Sequence, residues 1–179
     1  MLESQKSRVF YMQLKEIDKS RYRKHLKVVF AGMVVVLIII ALSTSTLLIH
    51  LFSNPEVSHF KYNLAGVVIA AFFVGFILTK LRQHPFMFEV VYVWDLKQQL
   101  NRIYRKQRKI EAACEVGDHD AMIIMNYLYR GSKQLYLLDD NTITMEDLAI
   151  KIQVLDNRME AAGLSLSTNS YEPSMLDRF

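Results

Sequence analysis

From Val28 to Phe52 the chain reads VVFAGMVVVLIIIALSTSTLLIHLF, with no formal charge anywhere in the run. At a rise of ~1.5 Å per residue this makes a helix roughly 37 Å long, enough to cross a ~30 Å hydrocarbon layer with tilt. A second run, YNLAGVVIAAFFVGFILT from Tyr62 to Thr79, spans about 27 Å. That suffices when Lys61 and Lys80 extend from its ends to the interface. A soluble protein would have to bury both helices on every side, and the rest of the chain has too little amphipathic material to cover them. A cleaved leader is also a poor fit, because the first run starts after 27 mostly polar and charged residues and is longer than a leader's apolar core. The overall hydrophobic content of 51% is ordinary and conceals how apolar these two segments are.

The link between the runs, SNPEVSHFK (residues 53–61), is short, so the two helices are predicted to be antiparallel neighbours. Lysine and arginine counts set the orientation. Lys6, Arg8, Lys15, Lys19, Arg21, Arg23, Lys24 and Lys27 precede the first run, and Lys80, Arg82, Lys97, Arg102, Arg105, Lys106, Arg108 and Lys109 follow the second. The link carries only Lys61. Both termini are therefore expected in the cytoplasm and the connector outside it. Neither run contains Asp, Glu, Lys or Arg, which argues against a proton or ion pathway. Ser43–Thr46 can bond back to helix carbonyls or across to a partner. Gly66, Ala70, Ala71 and Gly75 place small residues four apart, twice over, a pattern that lets backbones approach closely within the hairpin or between copies. Ordinary span composition explains them equally well. His50 and His59 read as interfacial residues, since no further metal ligands accompany them.

Beyond Pro85, a residue suited to the first position of a helix, Val93, Leu96, Leu100, Ile103, Gln107, Ile110 and Cys114 follow a 3-4-3-4 spacing. Gly117 and Asp118 end that helix and cap the next. Ala121, Met125, Leu128, Ser132 and Leu135 share one face of the second helix, and Asp139–Asn141 close it. Thr144 with Asp147 three residues on suggests a capping box for a third helix. Its stripe is Met145, Leu148, Ile152, Leu155, Met159 and Ala162, and Gly163 closes it. The core is expected to form from Leu100, Ile103, Leu128, Leu135, Leu148, Ile152 and Leu155. Three such helices pack as a small bundle or a long hairpin. The tail, LSLSTNSYEPSMLDRF, is serine-rich and lacks a stripe, which predicts mobility. Residues 1–11 look similarly loose, and Met12 offers a second translation start.

The stretch LLDDNTITMEDL (residues 137–148) sounds like half of a calcium loop. With Asp147 as the closing carboxylate, however, Tyr136 and Leu138 fall at the first two ligand positions and Asn141 where glycine is required. It reads as a helix stop followed by a helix start. His119-Asp120 lacks the partner ligands of a metal-dependent phosphohydrolase, and acidic residues are favoured at a helix N-terminus in any case. No phosphate loop, Cys/His metal set or serine elbow is present. Cys114, the single cysteine, excludes an intramolecular disulfide and lies on a helix stripe, as a packed thiol would.

The segment NRIYRKQRKI holds Arg102, Arg105, Lys106, Arg108 and Lys109. These five are the candidate contacts for a protein partner or for anionic lipid headgroups, weighed against a plain solvated face. Lipid contact would require a bend at His84-Pro85, and an upright, partner-binding helix is the preferred reading. Nucleic acid is disfavoured because no recognition fold accompanies the charge.

Three strings, LKEIDKSRYRKHL, HPFMFEVVYVWDLKQQLNRIYRKQRKIEAA and AMIIMNYLYRGSKQLYLLDDNTITMEDL, together resemble a gammaproteobacterial family of two-span inner-membrane proteins of unknown function, over roughly residues 12 to 155. The resemblance implies a bacterial inner-membrane location and carries no activity, ligand or catalytic residue with it.

The expectation is an all-α protein. A basic cytoplasmic segment (1–27) leads into transmembrane helices at 28–52 and 62–79 around a periplasmic connector (53–61). A cytoplasmic three-helix region (84–163) and a mobile tail (164–179) follow. The predicted role is a membrane-anchored protein-interaction module, with an accessory subunit of an inner-membrane transport or envelope-enzyme complex as the alternative. No enzyme activity, cofactor or metal is expected. The expected partners are membrane lipid and a protein, either an unidentified one or a second copy.

Overall fold

The computed structural model describes residues 13–52, 58–141 and 143–179. Every regular element among them is helical, so the all-α expectation holds. Helix α1 runs Lys19–Phe52 and α2 Phe60–Leu81; a 3₁₀ turn Pro85–Met87 leads into α3, Phe88–Tyr104. Then come α4 (Gln107–Glu115), α5 (His119–Asp139) and α6 (Met145–Ala161), with 3₁₀ turns at Thr168–Ser170 and Pro173–Arg178. The chain divides into two compact units, Ser20–Val91 and a second built from residues on either side of it, up to Lys19 and from Tyr92 to Phe179. The loosely read residues 1–11 and most of the connector lie outside the described residues.

In the first unit, α1 and α2 are antiparallel: Tyr62 Oη donates to the Phe52 carbonyl at 2.8 Å, and the Ser45 hydroxyl meets the Asn63 side chain. The seam is made of small residues. Ala41 and Ser45 of α1 are buried, as are Gly66, Ala70 and Val74 of α2. A Cβ on Gly66 would lie 2.8 Å from the Ala41 carbonyl oxygen, a separation only glycine permits. Elsewhere the large apolar side chains point outward, Phe72 being 76% exposed. Both helices are long and apolar enough to cross a membrane. The first starts nine residues ahead of its apolar run, at Lys19 rather than Val28, because the basic stretch before the run is helical too.

At the start of α1 the helix is fastened to residues 84–89. Arg21 Nε lies 2.8 Å from one Glu89 carboxylate oxygen and His25 Nδ1 3.0 Å from the other. The His25 and Phe86 rings are centred 4.0 Å apart. His84 caps the turn, its Nδ1 accepting from the Phe86 N–H.

The second unit is a helical bundle. Its core joins Val93, Leu96, Leu100 and Ile103 of α3 with Ile110 and Cys114 of α4, Met122, Ile124, Met125, Tyr127 and Leu128 of α5, and Leu148, Leu155 and Met159 of α6. Both glycine stops follow the sequence reading. Gly117 has φ +89° and Gly163 φ +68°; the Asp118 N–H reaches the Ala113 carbonyl and the Leu164 N–H the Met159 carbonyl, the bond pattern of a Schellman motif. Asp118 caps α5 by accepting from the Ala121 N–H at 2.9 Å.

Four expectations are corrected. The first helix expected beyond Pro85 is two: Arg105 and Lys106 interrupt it, so residues 84–163 hold four α-helices rather than three. The interruption closes with a 3₁₀-type bond from the Lys106 N–H to the Ile103 carbonyl, a turn that needs neither glycine nor proline to mark it. Thr144 starts α6 without a side-chain capping bond. Leu135 and Ile152 are only half-buried, while Leu138, off the predicted stripe, is buried.

The last correction concerns the tail, which is seated rather than mobile. Tyr171 is 3% exposed and its ring stacks on Tyr127 at 4.2 Å. Its hydroxyl accepts from Gln99, and Asn126 donates to the Leu166 carbonyl at 3.0 Å. Leu176 is buried as well. Single anchors on irregular backbone leave no periodic trace in a sequence.

Residues 13–19 join the same unit. The Lys15 N–H donates to Tyr92 Oη at 2.8 Å, Gln134 donates to the Lys15 carbonyl, and Lys19 pairs with Asp140.

Candidate functional site

Four of the five basic candidates converge. The α3–α4 break turns Arg105 and Lys106 towards the first turn of α4, where Arg108 and Lys109 stand. Together with Tyr104 and Phe179 they line a cavity of about 560 Å³. Lys106 Nζ donates to the Leu176 carbonyl at 2.7 Å and Lys109 Nζ to a main-chain oxygen of Phe179 at 3.3 Å. The tail thus engages two of the lysines through main-chain oxygens. Arg102 is not part of this lining; it lies close enough to Tyr171 to influence its hydroxyl electrostatically. Burial pushes Tyr171 up to about 12, partly offset by the Gln99 bond and by Arg102.

The four small residues of α2 separate into two faces. Gly66 and Ala70 lie in the α1–α2 seam, which Val74 continues. Ala71 and Gly75 are exposed, and a Cβ on Gly75 would meet nothing within 4 Å. Spacing alone could not divide them, because positions 66 and 70 and positions 71 and 75 are equally good four-residue pairs. The same unit holds an apolar cleft of about 260 Å³, lined by Val28, Gly32, Val36, Ile77, Leu81 and Phe86 among others.

The acidic features that suggest cation chemistry are engaged structurally. Asp139 pairs with Lys97 at 2.9 Å and Asp140 with Lys19. Arg178 binds both Asp118, at 3.1 Å, and Asp120. The Ala121 N–H, then Arg178, holds the Asp118 carboxyl below the usual range. Among the described residues no three His, Cys, Asp or Glu side chains gather as a metal site would require.

A second concavity in the bundle went unnoticed in the sequence. Glu111, Cys114 and Glu115 of α4 form one wall, and Ile150, Lys151, Val154, Leu155 and Arg158 of α6 form the other; Met125 and Tyr129 of α5 lie beneath. Its volume is about 250 Å³. Burial raises the Cys114 thiol, with Arg158 acting in opposition, and pushes Tyr129 up to about 12. The thiol is therefore held protonated, as a packing group rather than a nucleophile. The available signal was the pair Ile150 and Val154, apolar, four apart, and off the stripe that α6 buries.

The described residues define a helical protein that couples two long apolar helices to a helical bundle. The chain belongs to the family described as protein of unknown function (DUF3087), which covers residues 12–176. No curated protein and no solved structure matches it.

Proposed function

We propose that the chain is an integral protein of a bacterial inner membrane, with two spans and both termini cytoplasmic, that displays its bundle as a protein-interaction module. The observation that carries this reading is the outward orientation of the apolar side chains of α1 and α2. A core helix of a soluble protein hides such residues; a spanning helix presents them to lipid. The two-span count is supported by the bundle itself, because Lys15 binds Tyr92 and Gln134. Residues on both sides of the apolar hairpin share one folded unit, which requires an even number of crossings. The orientation rests on the excess of lysine and arginine flanking the hairpin.

The module reading is non-enzymatic. Asp118 serves as a cap, Asp118, Asp120, Asp139, Asp140 and Asp156 serve in ion pairs, and the thiol is packed. The basic corner at Arg105, Lys106, Arg108 and Lys109 suits an acidic segment of a protein partner, and neither a cofactor nor nucleic acid has a place in this reading. The exposed Ala71–Gly75 face favours a second reading, an accessory subunit of an inner-membrane transport or envelope-enzyme complex, since small residues admit another helix closely.

Reporter fusions test the first reading. A periplasm-only reporter should be active when fused at Glu56 and silent at Ser170. Activity at Ser170, or silence at Glu56, rejects the topology. In-cell crosslinking then separates the two roles by whether partner adducts form from the bundle or from α2.

A further inference from the structure

Helix α6 has two apolar faces. Leu148, Leu155 and Met159 are buried in the bundle, whereas Ile150 is 63% exposed and Val154 48% exposed. Ile143, just ahead of the helix, is 92% exposed. Scattered exposed aliphatics are ordinary. Ile150 and Val154, however, border a concavity, and apolar side chains grouped at a groove mark a contact surface. The walls of the groove differ in sign: α4 contributes Glu111 and Glu115, α6 contributes Lys151 and Arg158. Among the described residues none of these four forms an ion pair with an opposite charge.

We propose that this groove is the contact face of a homodimer, in which α6 of each copy lies against α4 of the other across a two-fold axis. In such a contact residue i meets j while j meets i. A surface that carries its own acidic pair beside its own basic pair is therefore complementary to itself. Ile150 and Val154 would pack near the axis, while Lys151 and Arg158 of each copy meet Glu111 and Glu115 of the other. An anionic lipid surface fits poorly, because the two glutamates would face it. The inference specifies the partner of the proposed interaction module; the membrane reading is tested separately by the reporter fusions, so either can fail alone.

The experiment uses the full chain in detergent micelles, with oligomeric state read by light scattering. One variant carries Lys151→Glu and Arg158→Glu, the other Glu111→Lys and Glu115→Lys. The wild type should be dimeric. Each variant alone opposes like charges and should dissociate at a concentration roughly tenfold or more above the wild type. Mixed together, the two variants should form a heterodimer, since both contacts then regain opposite charges. Damage to the fold could not be repaired by mixing. A monomeric wild type overturns the proposal. So does a dimer indifferent to both variants, as a contact through α2 would give, or a failure of mixing to restore association when both variants keep wild-type helicity and melting. A photoreactive residue at position 154 gives an independent reading in cells. Self-adducts support the homodimer; adducts only with another protein overturn it.

Discussion

A Cβ on Gly66 would stand 2.8 Å from the Ala41 carbonyl oxygen and 3.0 Å from Ser45 Cβ, while one on Gly75 would meet open space. Gly66→Leu should therefore force α1 and α2 apart and destabilise the full chain by about 1–3 kcal/mol, seen as an earlier thermal transition in detergent. Gly75→Leu should leave that transition in place, and an equal loss from both would contradict the seam. The tyrosines give a second residue-scale expectation. Burial raises the hydroxyl pKa of Tyr171 and Tyr129 to about 12 and pushes Tyr127 up as well. A raised folded pKa means stability that is complete below the unfolded value, ~10, and is lost as pH climbs through the folded one. Denaturant titrations should show bundle stability flat up to pH ~10 and falling towards pH ~12. In Tyr171→Phe that alkaline decline should be shallower; an unchanged slope would show that this hydroxyl does not contribute.

At the scale of elements, the regular packing was legible and the irregular packing was not. Val93, Leu96, Leu100, Ile103, Ile110 and Cys114 are all buried and Gln107 half-buried, as the 3-4-3-4 spacing demands. The break inside that stripe was invisible, because the spacing carries on through Arg105 and Lys106 while the backbone does not. Of the candidate site, the basic cluster could be read directly as a charge run. The tail's end in it and the groove's two charged walls could not, since both depend on which segments meet in space. The depth of each stripe position was also hidden, which gives a graded test on α6. Leu155 is 4% exposed and Ile152 half-buried. Leu155→Ala should cost about 2–5 kcal/mol, measured by denaturant titration, and Ile152→Ala distinctly less. For the tail, Tyr171→Ala removes the stack on Tyr127 and the partner of Gln99. Limited proteolysis should then cut residues 164–179 readily while the helices resist, and unchanged protection would argue against Tyr171 as the anchor.

At the scale of the whole molecule, the bundle is assembled from both sides of the apolar hairpin. Tyr92 makes one such connection: its hydroxyl accepts from the Lys15 N–H and donates to Gln134. Tyr92→Phe removes both of these bonds and should cost about 1–3 kcal/mol, measurable as a lower denaturant midpoint. No change would mean that residues 13–19 rest on the bundle without supporting it. The connection also has a consequence in time. A ribosome delivers Lys15 long before Gln134 exists, and Tyr127 well before Tyr171. The leading segment must wait for its partners while the hairpin leaves the exit tunnel, and the side of α5 under the tail stays bare until the following residues emerge. A chain stalled before residue 171 would hold Tyr127 and Gln99 uncovered, and quality-control machinery that reads exposed apolar surface could tell that unfinished chain from a finished one.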